Sequence, residues 1–291
     1  MKKIAWILLL AFCVIPAVSA EISLKLKGGL SYISPADYND AIAGRNAYIT
    51  ETLAVSPMQG SLSPFHLGWN LGGEVVWSFI KDFSLGLGVG YSRFATDDRL
   101  IYQYPTTSPT LLFGGAWNVK MSVAVLPLVL KFHYARPLTK TIKLTAGVGP
   151  GFYVCSVNYA LNFIGGYMGA TDQHWTQTFA AQKTTFGFEG EIGLEIPLAK
   201  KIFAEVNVGG RLAKLSEITG DLSEVGTDDF GSWDYKTSKA YFFIYDYIRN
   251  GKAYRQYGFT DSSNPSFPNF HKGMISLSGI SVTCGIRVAL Y

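Results

Sequence analysis

Glu195 and Glu205 stand on either side of the short Ala199, Lys200, Lys201 turn, each a few residues into an alternating apolar segment. An antiparallel hairpin closed by that turn brings the two carboxylates together, and such a pair suits general acid and base work or the holding of a divalent cation. Left without cations, the pair is costly. Lys25, Lys131 and Arg287 lie on the same alternating face, each about three or four residues from the near end of its strand. The expectation is one interior layer of Lys25, Lys131, Glu195, Glu205 and Arg287, an ion-pair plug and not a reactive centre. The same hairpin sets Glu189 or Glu191 beside Arg211, and Lys27 and Glu74 extend the polar face.

Hydrolytic chemistry at a lipid boundary needs a histidine with a serine and a carboxylate. His66, His133, His174 and His271 have no accompanying serine motif, so no catalytic residues are assigned and no enzyme is expected. Gly147, Gly149 and Gly151 have the spacing of a phosphate-binding loop, but no helical pattern follows, and thin strand packing accounts for them better. Asp97, Asp98, Asp228 and Asp229 read as solvated acidic turns. Cys155 and Cys284 fall inside strand patterns and not at metal-ligand spacing, so neither a metal nor a cofactor is expected, and unpaired buried thiols are expected over a disulfide. A net charge of +4 suggests no nucleic-acid partner.

These side chains need a scaffold, and the segment from Leu67 to Phe79 shows its kind. Leu67, Trp69, Leu71, Gly73, Val75, Trp77 and Phe79 alternate with His66, Gly68, Asn70, Gly72, Glu74, Val76 and Ser78. Period-two alternation is the signature of a strand with two unlike faces. The N-terminus precedes it with Lys2 and Lys3, an apolar run from Ile4 to Ile15, Pro16, and Val18, Ser19, Ala20. That is the form of a signal peptide over residues 1–20, with cleavage after Ala20; Phe12 before Cys13 argues against lipidation. A spanning helix needs about 20 apolar residues, which no later segment supplies, so a membrane-embedded form must be a closed barrel.

Eight alternating segments can be read. They begin at Ile22, Leu67 and Phe83, end at Tyr134 for the fourth, and resume at Ile142, Phe186, Ile202 and Ile280. The fifth loses phase around Gly149, Pro150 and Gly151, where a bulge is expected. Connections alternate between about three to seven and about twenty to sixty residues, the asymmetry of short periplasmic turns and long outer loops. The expected fold is all-β, an eight-stranded antiparallel up-and-down transmembrane β-barrel over residues 21–291, with ten strands possible if the last loop adds a hairpin. A soluble lipocalin-like barrel or a β-sandwich shares the alternation. Aromatics near strand ends, Tyr32, Trp69, Trp77, Phe79, Phe83, Tyr91, Trp117 and Tyr134, favour interfacial girdles and hence the outer membrane of a Gram-negative-type bacterium, with outer-membrane lipid as partner.

Near the C-terminus, Thr283, Gly285, Val288 and Leu290 resemble the signal read by the barrel assembly machinery, although Tyr291 departs from its usual ending. The segments LPLVLKFHY (Leu126 to Tyr134), AGVGPGFYV (Ala146 to Val154) and FGFEGEIGLEIPL (Phe186 to Leu198) are similar to the outer-membrane β-barrel domain family that includes PorT-type proteins. That resemblance implies fold and location, and brings no shared catalytic or ligand residues. Recognition is therefore expected in the loops. The last loop carries Trp233, Tyr235, Tyr241, Phe242, Phe243, Tyr245 and Tyr247, which either pack on the barrel mouth or form a binding surface for an extracellular glycan or apolar ligand. Two roles follow: a non-enzymatic barrel acting structurally or by surface binding, or a transport barrel for small apolar solutes.

Overall fold

The computed structural model describes residues 21–52, 60–104, 113–166, 173–228, 230–262 and 267–290. The expected signal peptide, Asp229 and Tyr291 lie outside the described residues. In chain order the elements are β1 (Glu21–Ile33), α1 (Ala36–Thr52), β2 (Leu67–Ile80), β3 (Phe83–Tyr104), β4 (Phe113–Pro137), β5 (Lys143–Gly166), β6 (Gln173–Ala199) and β7 (Ile202–Leu215). They continue with β8 (Thr219–Asp228), β9 (Gly231–Arg249), β10 (Lys252–Thr260), β11 (His271–Lys272), β12 (Ile275–Ser276) and β13 (Gly279–Ala289).

Strands β1 to β7 pair antiparallel in sequence, and β13 pairs with both β7 and β1, so eight strands close into a ring. Closure leaves the ring without an edge. Around it Leu26, Leu71, Leu87, Leu128, Ile192 and Val208 point outward and are exposed, while Lys25, Glu74, Lys131, Glu195 and Glu205 point inward and are buried. An apolar exterior around a polar interior is the arrangement of a transmembrane barrel, and the reverse of a soluble one. Trp77, Phe79, Phe83, Phe132 and Tyr134 form a ring-contact belt at the end with short turns; Trp69 and Tyr91 meet at 5.3 Å at the other end.

Four strands run on far beyond this band, and there the two faces exchange character. On β3, β4, β5 and β6 the inward Phe94, Val123, Tyr153, Val157 and Phe179 are fully buried, whereas the outward Arg93, Asn158, Thr178 and Gln182 are exposed. Between Gly187 and Ala181, β6 changes partner from β7 to β8. An upper sheet β3-β4-β5-β6-β8-β9-β10 results, and α1 packs chiefly on its end strand β10. Tyr38, Ala41, Ile42 and Ile49 of α1 complete an apolar core with Leu62 and Phe65. Gly44 makes the contact possible: a Cβ there would stand 2.2 Å from the Arg255 carbonyl oxygen.

Several expectations change. The last loop is largely folded, and β8 to β10 join the upper sheet without entering the eight-stranded ring, so the ring does not become ten-stranded. The first long loop contains α1. No bulge forms at Gly149 to Gly151: the β4–β5 register is the same on both sides, and Pro150, lacking an N–H, merely interrupts the ladder. Trp117 is no girdle residue; it faces into the upper core. Cys155 is buried inside while Cys284 is exposed on the outer face, so the wall separates two free thiols and only one of them is buried.

Candidate functional site

The interior polar residues form two charge layers. In the lower one Glu195 and Glu205 are direct cross-strand partners. Arg287 lies between them, its Nε 2.6 Å from Glu195 Oε2 and 3.8 Å from Glu205 Oε1, and its Nη1 reaches Glu21 at 3.1 Å. Lys25 meets Glu205 at 3.1 Å and Lys143 meets Glu195 at 3.4 Å. Three carboxylates thus face three cations. Each glutamate therefore has cationic partners that offset its like-charged neighbour.

The upper layer is built alike. Glu191 accepts from Lys27 at 2.8 Å and Lys131 at 2.7 Å; Glu189 meets Arg211 at 3.0 Å and Lys131 at 3.5 Å. Glu74 stands 3.9 Å from Lys27 and bonds the His133 imidazole. Glu74, Glu189 and Glu191 thus face Lys27, Lys131 and Arg211, with the His133 imidazole beside them. A slot of two glycines holds the imidazole, since a Cβ on Gly86 or Gly147 would fall 2.7 or 2.6 Å from a ring nitrogen. Lys131 therefore belongs here and not with Arg287. Counting residues from strand ends ignores the tilt and stagger that closing a barrel imposes. Sequence reasoning also missed Glu21, Lys143 and His133; Lys143 was legible, two positions before the inward Thr145.

Donor atoms of Glu74, His133 and Glu191 lie within 4.8 Å of one another. A metal ion there would sit against the two ammonium groups that already hold Glu191, so the surroundings oppose one. Ser84 is the cross-strand neighbour of His133, yet its hydroxyl meets Ser78 Oγ at 3.2 Å. His66 stacks on Tyr32 and bonds the Ile33 carbonyl at 2.9 Å, while His174 and His271 are exposed. A vestibule of about 400 Å³, lined by Lys25, Lys143, Glu195 and Arg287, opens below the plug, and a cavity of about 80 Å³ lies above the upper layer, lined by Glu74, Lys131, Asn70, Ser92 and Ser281.

Above the plug the lumen ends in the packed upper domain. Arg45 of α1 reaches Gln256 Oε1 at 3.0 Å and lies 5.0 and 4.6 Å from the ring centres of Trp117 and Tyr257. Among the described residues no carboxylate pairs with it. Burial pushes the Tyr38 and Tyr159 phenols well above their ordinary range. Of the expected loop surface, Phe242 and Phe243 are buried, Trp233, Tyr241 and Tyr245 are half-buried, and Tyr235 and Tyr247 are exposed. Phe242 packs with Tyr257 and Phe259, and Phe243 with Tyr245, Phe267 and Phe270. In the terminal segment Thr283 is buried inward, Gly285 shares that face, and Leu290 is exposed.

No family model matches this sequence, and no curated protein does. Solved structures do. A major outer membrane protein from Thermus thermophilus is similar at 13% identity, over 94% of this chain and 100% of that one, with a TM-score of 0.36. Neisserial surface protein A is similar at 10% identity, over 93% and 99% of the two chains, with a TM-score of 0.35. The outer membrane protein OprG from Pseudomonas aeruginosa is similar at 10% identity, over 92% and 96%, with a TM-score of 0.35.

Proposed function

We propose that this chain is an integral outer-membrane β-barrel whose role is non-enzymatic, with the folded domain above the band acting as a surface-binding or structural module outside the cell. The exchange of polarity along β3 to β6 carries the reading. An outward apolar face suits lipid, and the inward apolar face higher on the same strands suits water outside, so the long ends project from the bilayer. The PorT-type resemblance of the middle strands accords with this and adds no role of its own. Transport of apolar solutes, entering past the loop aromatics and leaving through the wall, is the weaker reading, because a solute would have to part the apolar core that holds Phe242 and then open a closed, hydrogen-bonded ring.

The experiment is reconstitution into planar bilayers together with protease treatment of intact cells. No unitary conductance, plus cleavage of the upper domain from outside, is the expected result. Steady conductance through the wild-type protein would overturn the reading.

A further inference from the structure

Near the tips of the upper strands, Trp117 of β4 pairs with Phe163 of β5, Phe163 with Trp175 of β6, Trp175 with Gly226 of β8, and Gly226 with Trp233 of β9. Directly paired residues share a face, so these form one continuous aromatic row on the inner side of the sheet. Gly226 is what keeps it continuous. The Trp233 ring lies across it, and a Cβ at that position would fall 2.2 Å from Trp233 Cζ2. The row crosses four strand intervals, about 19 Å. It sits about 30 Å along β4 from Leu126, where the lipid band ends.

The rings are only half-buried, although Trp117 and Trp175 rest on the core beneath. One step toward the membrane on the same face, Gln177 Nε2 donates to Glu224 Oε2 at 2.9 Å. The Trp175 indole N–H is shielded from water and has no acceptor among the described residues. Half-exposed aromatic rings, with Trp117 and Phe163 meeting edge to face at 6.0 Å, set beside a fixed amide and a carboxylate match a ligand with apolar C–H faces and a rim of hydroxyls.

We infer that this row binds a neutral oligosaccharide lying across the strand tips; the inference rests on the surface-binding reading above. Nucleic acid is disfavoured, because Arg45 at one end is the single cation stacked on the row among the described residues, and Glu224 lies under its middle. A purely apolar ligand would leave the Gln177 and Glu224 pair covered without its water.

The test uses the full mature chain in detergent micelles, titrated with cellohexaose, maltohexaose, chitohexaose, mannohexaose and xylohexaose, followed by calorimetry and tryptophan fluorescence. At least one should bind with a Kd of about 1 mM or tighter, and Trp175→Ala or Trp233→Ala should weaken it about tenfold. Trp233→Tyr should restore most of the loss. Gly226→Ala, which moves the Trp233 ring without deleting it, serves as a further variant if Trp175→Ala does not fold, folding being judged by heat-modifiable gel migration. Binding by none of the five, equal binding by the wild type and Trp233→Ala, or binding of a single-stranded oligonucleotide or proline-rich peptide in place of the sugars would overturn the inference. Labelling of Ser232→Cys, in a Cys284→Ser background, by an impermeant maleimide on intact cells separates the two readings. Labelling without sugar binding sinks this inference alone; no labelling sinks the surface reading beneath it.

Discussion

Arg287 is the side chain on which the lower layer depends, since among the described residues it alone touches Glu21, Glu195 and Glu205, and its guanidinium stacks 4.3 Å from the Phe203 ring centre. Arg287→Ala should cost about 3 to 5 kcal/mol in unfolding from micelles, less where vestibule water reaches the layer. Glu195→Gln with Glu205→Gln in that background should recover part of the loss. Strict additivity in the cycle would show that the three groups act separately. Lys131→Ala, by contrast, should couple with Glu191 and not with Glu205. The pairing of Glu195 with Glu205 was readable in the sequence because a tight hairpin fixes it locally. The height of Lys131 was not, since it depends on the stagger of strands separated by long connections, and no short segment encodes that.

Among the elements, α1 was the one hidden from the sequence. Its buried positions Tyr38, Ala41, Ile42 and Ile49 recur at helical spacing, but Gly44 and Arg45 interrupt the stripe in the middle. Those two interruptions are what the docking requires: Gly44 admits the β10 backbone, and Arg45 inserts between Trp117 and Tyr257. Ile42→Ala should therefore cost the upper domain about 2 to 5 kcal/mol, read as faster proteolysis of the α1 and β10 segments while the barrel stays heat-modifiable. Retained protease resistance would mean that the helix is dispensable. Burial raises the Tyr38 and Tyr159 phenols above their unfolded value, so their contribution to stability is complete below about pH 10 and is lost as pH rises toward the higher folded values. Absorbance of tyrosinate should thus appear in a cooperative step coincident with alkaline opening of the upper domain. Smooth titration of these two phenols near the free value, with the domain still closed, would contradict their burial.

For the whole molecule the decisive property is that one strand serves two solvents. Alternation with period two reads the same above and below the membrane boundary, so it located β3 to β6 without revealing that their inner and outer faces trade roles near Arg93 and Phe94. The trade gives a comparison within a single strand and a single face. Leu87 and Ala95 both point outward on β3; Leu87 is 54% exposed beside Val75 and Leu130, whereas Ala95 lies about 26 Å higher, between outward Arg93 and Asp97. Arginine at Leu87 must bring its charge into hydrocarbon and should cost about 2 to 4 kcal/mol. Arginine at Ala95 meets water and should change stability by no more than about 0.5 kcal/mol. On the opposite face the order reverses: Phe94→Arg would bury an unpaired guanidinium in the apolar core and should open the upper domain, although Phe94 is only one residue from the tolerant site. Unfolding titrations from lipid vesicles, with limited proteolysis to score the upper domain separately, measure all three. Equal penalties at Leu87 and Ala95 would place both positions in the same environment, and the division of this chain into a lipid-facing ring and a water-facing domain would fall with them.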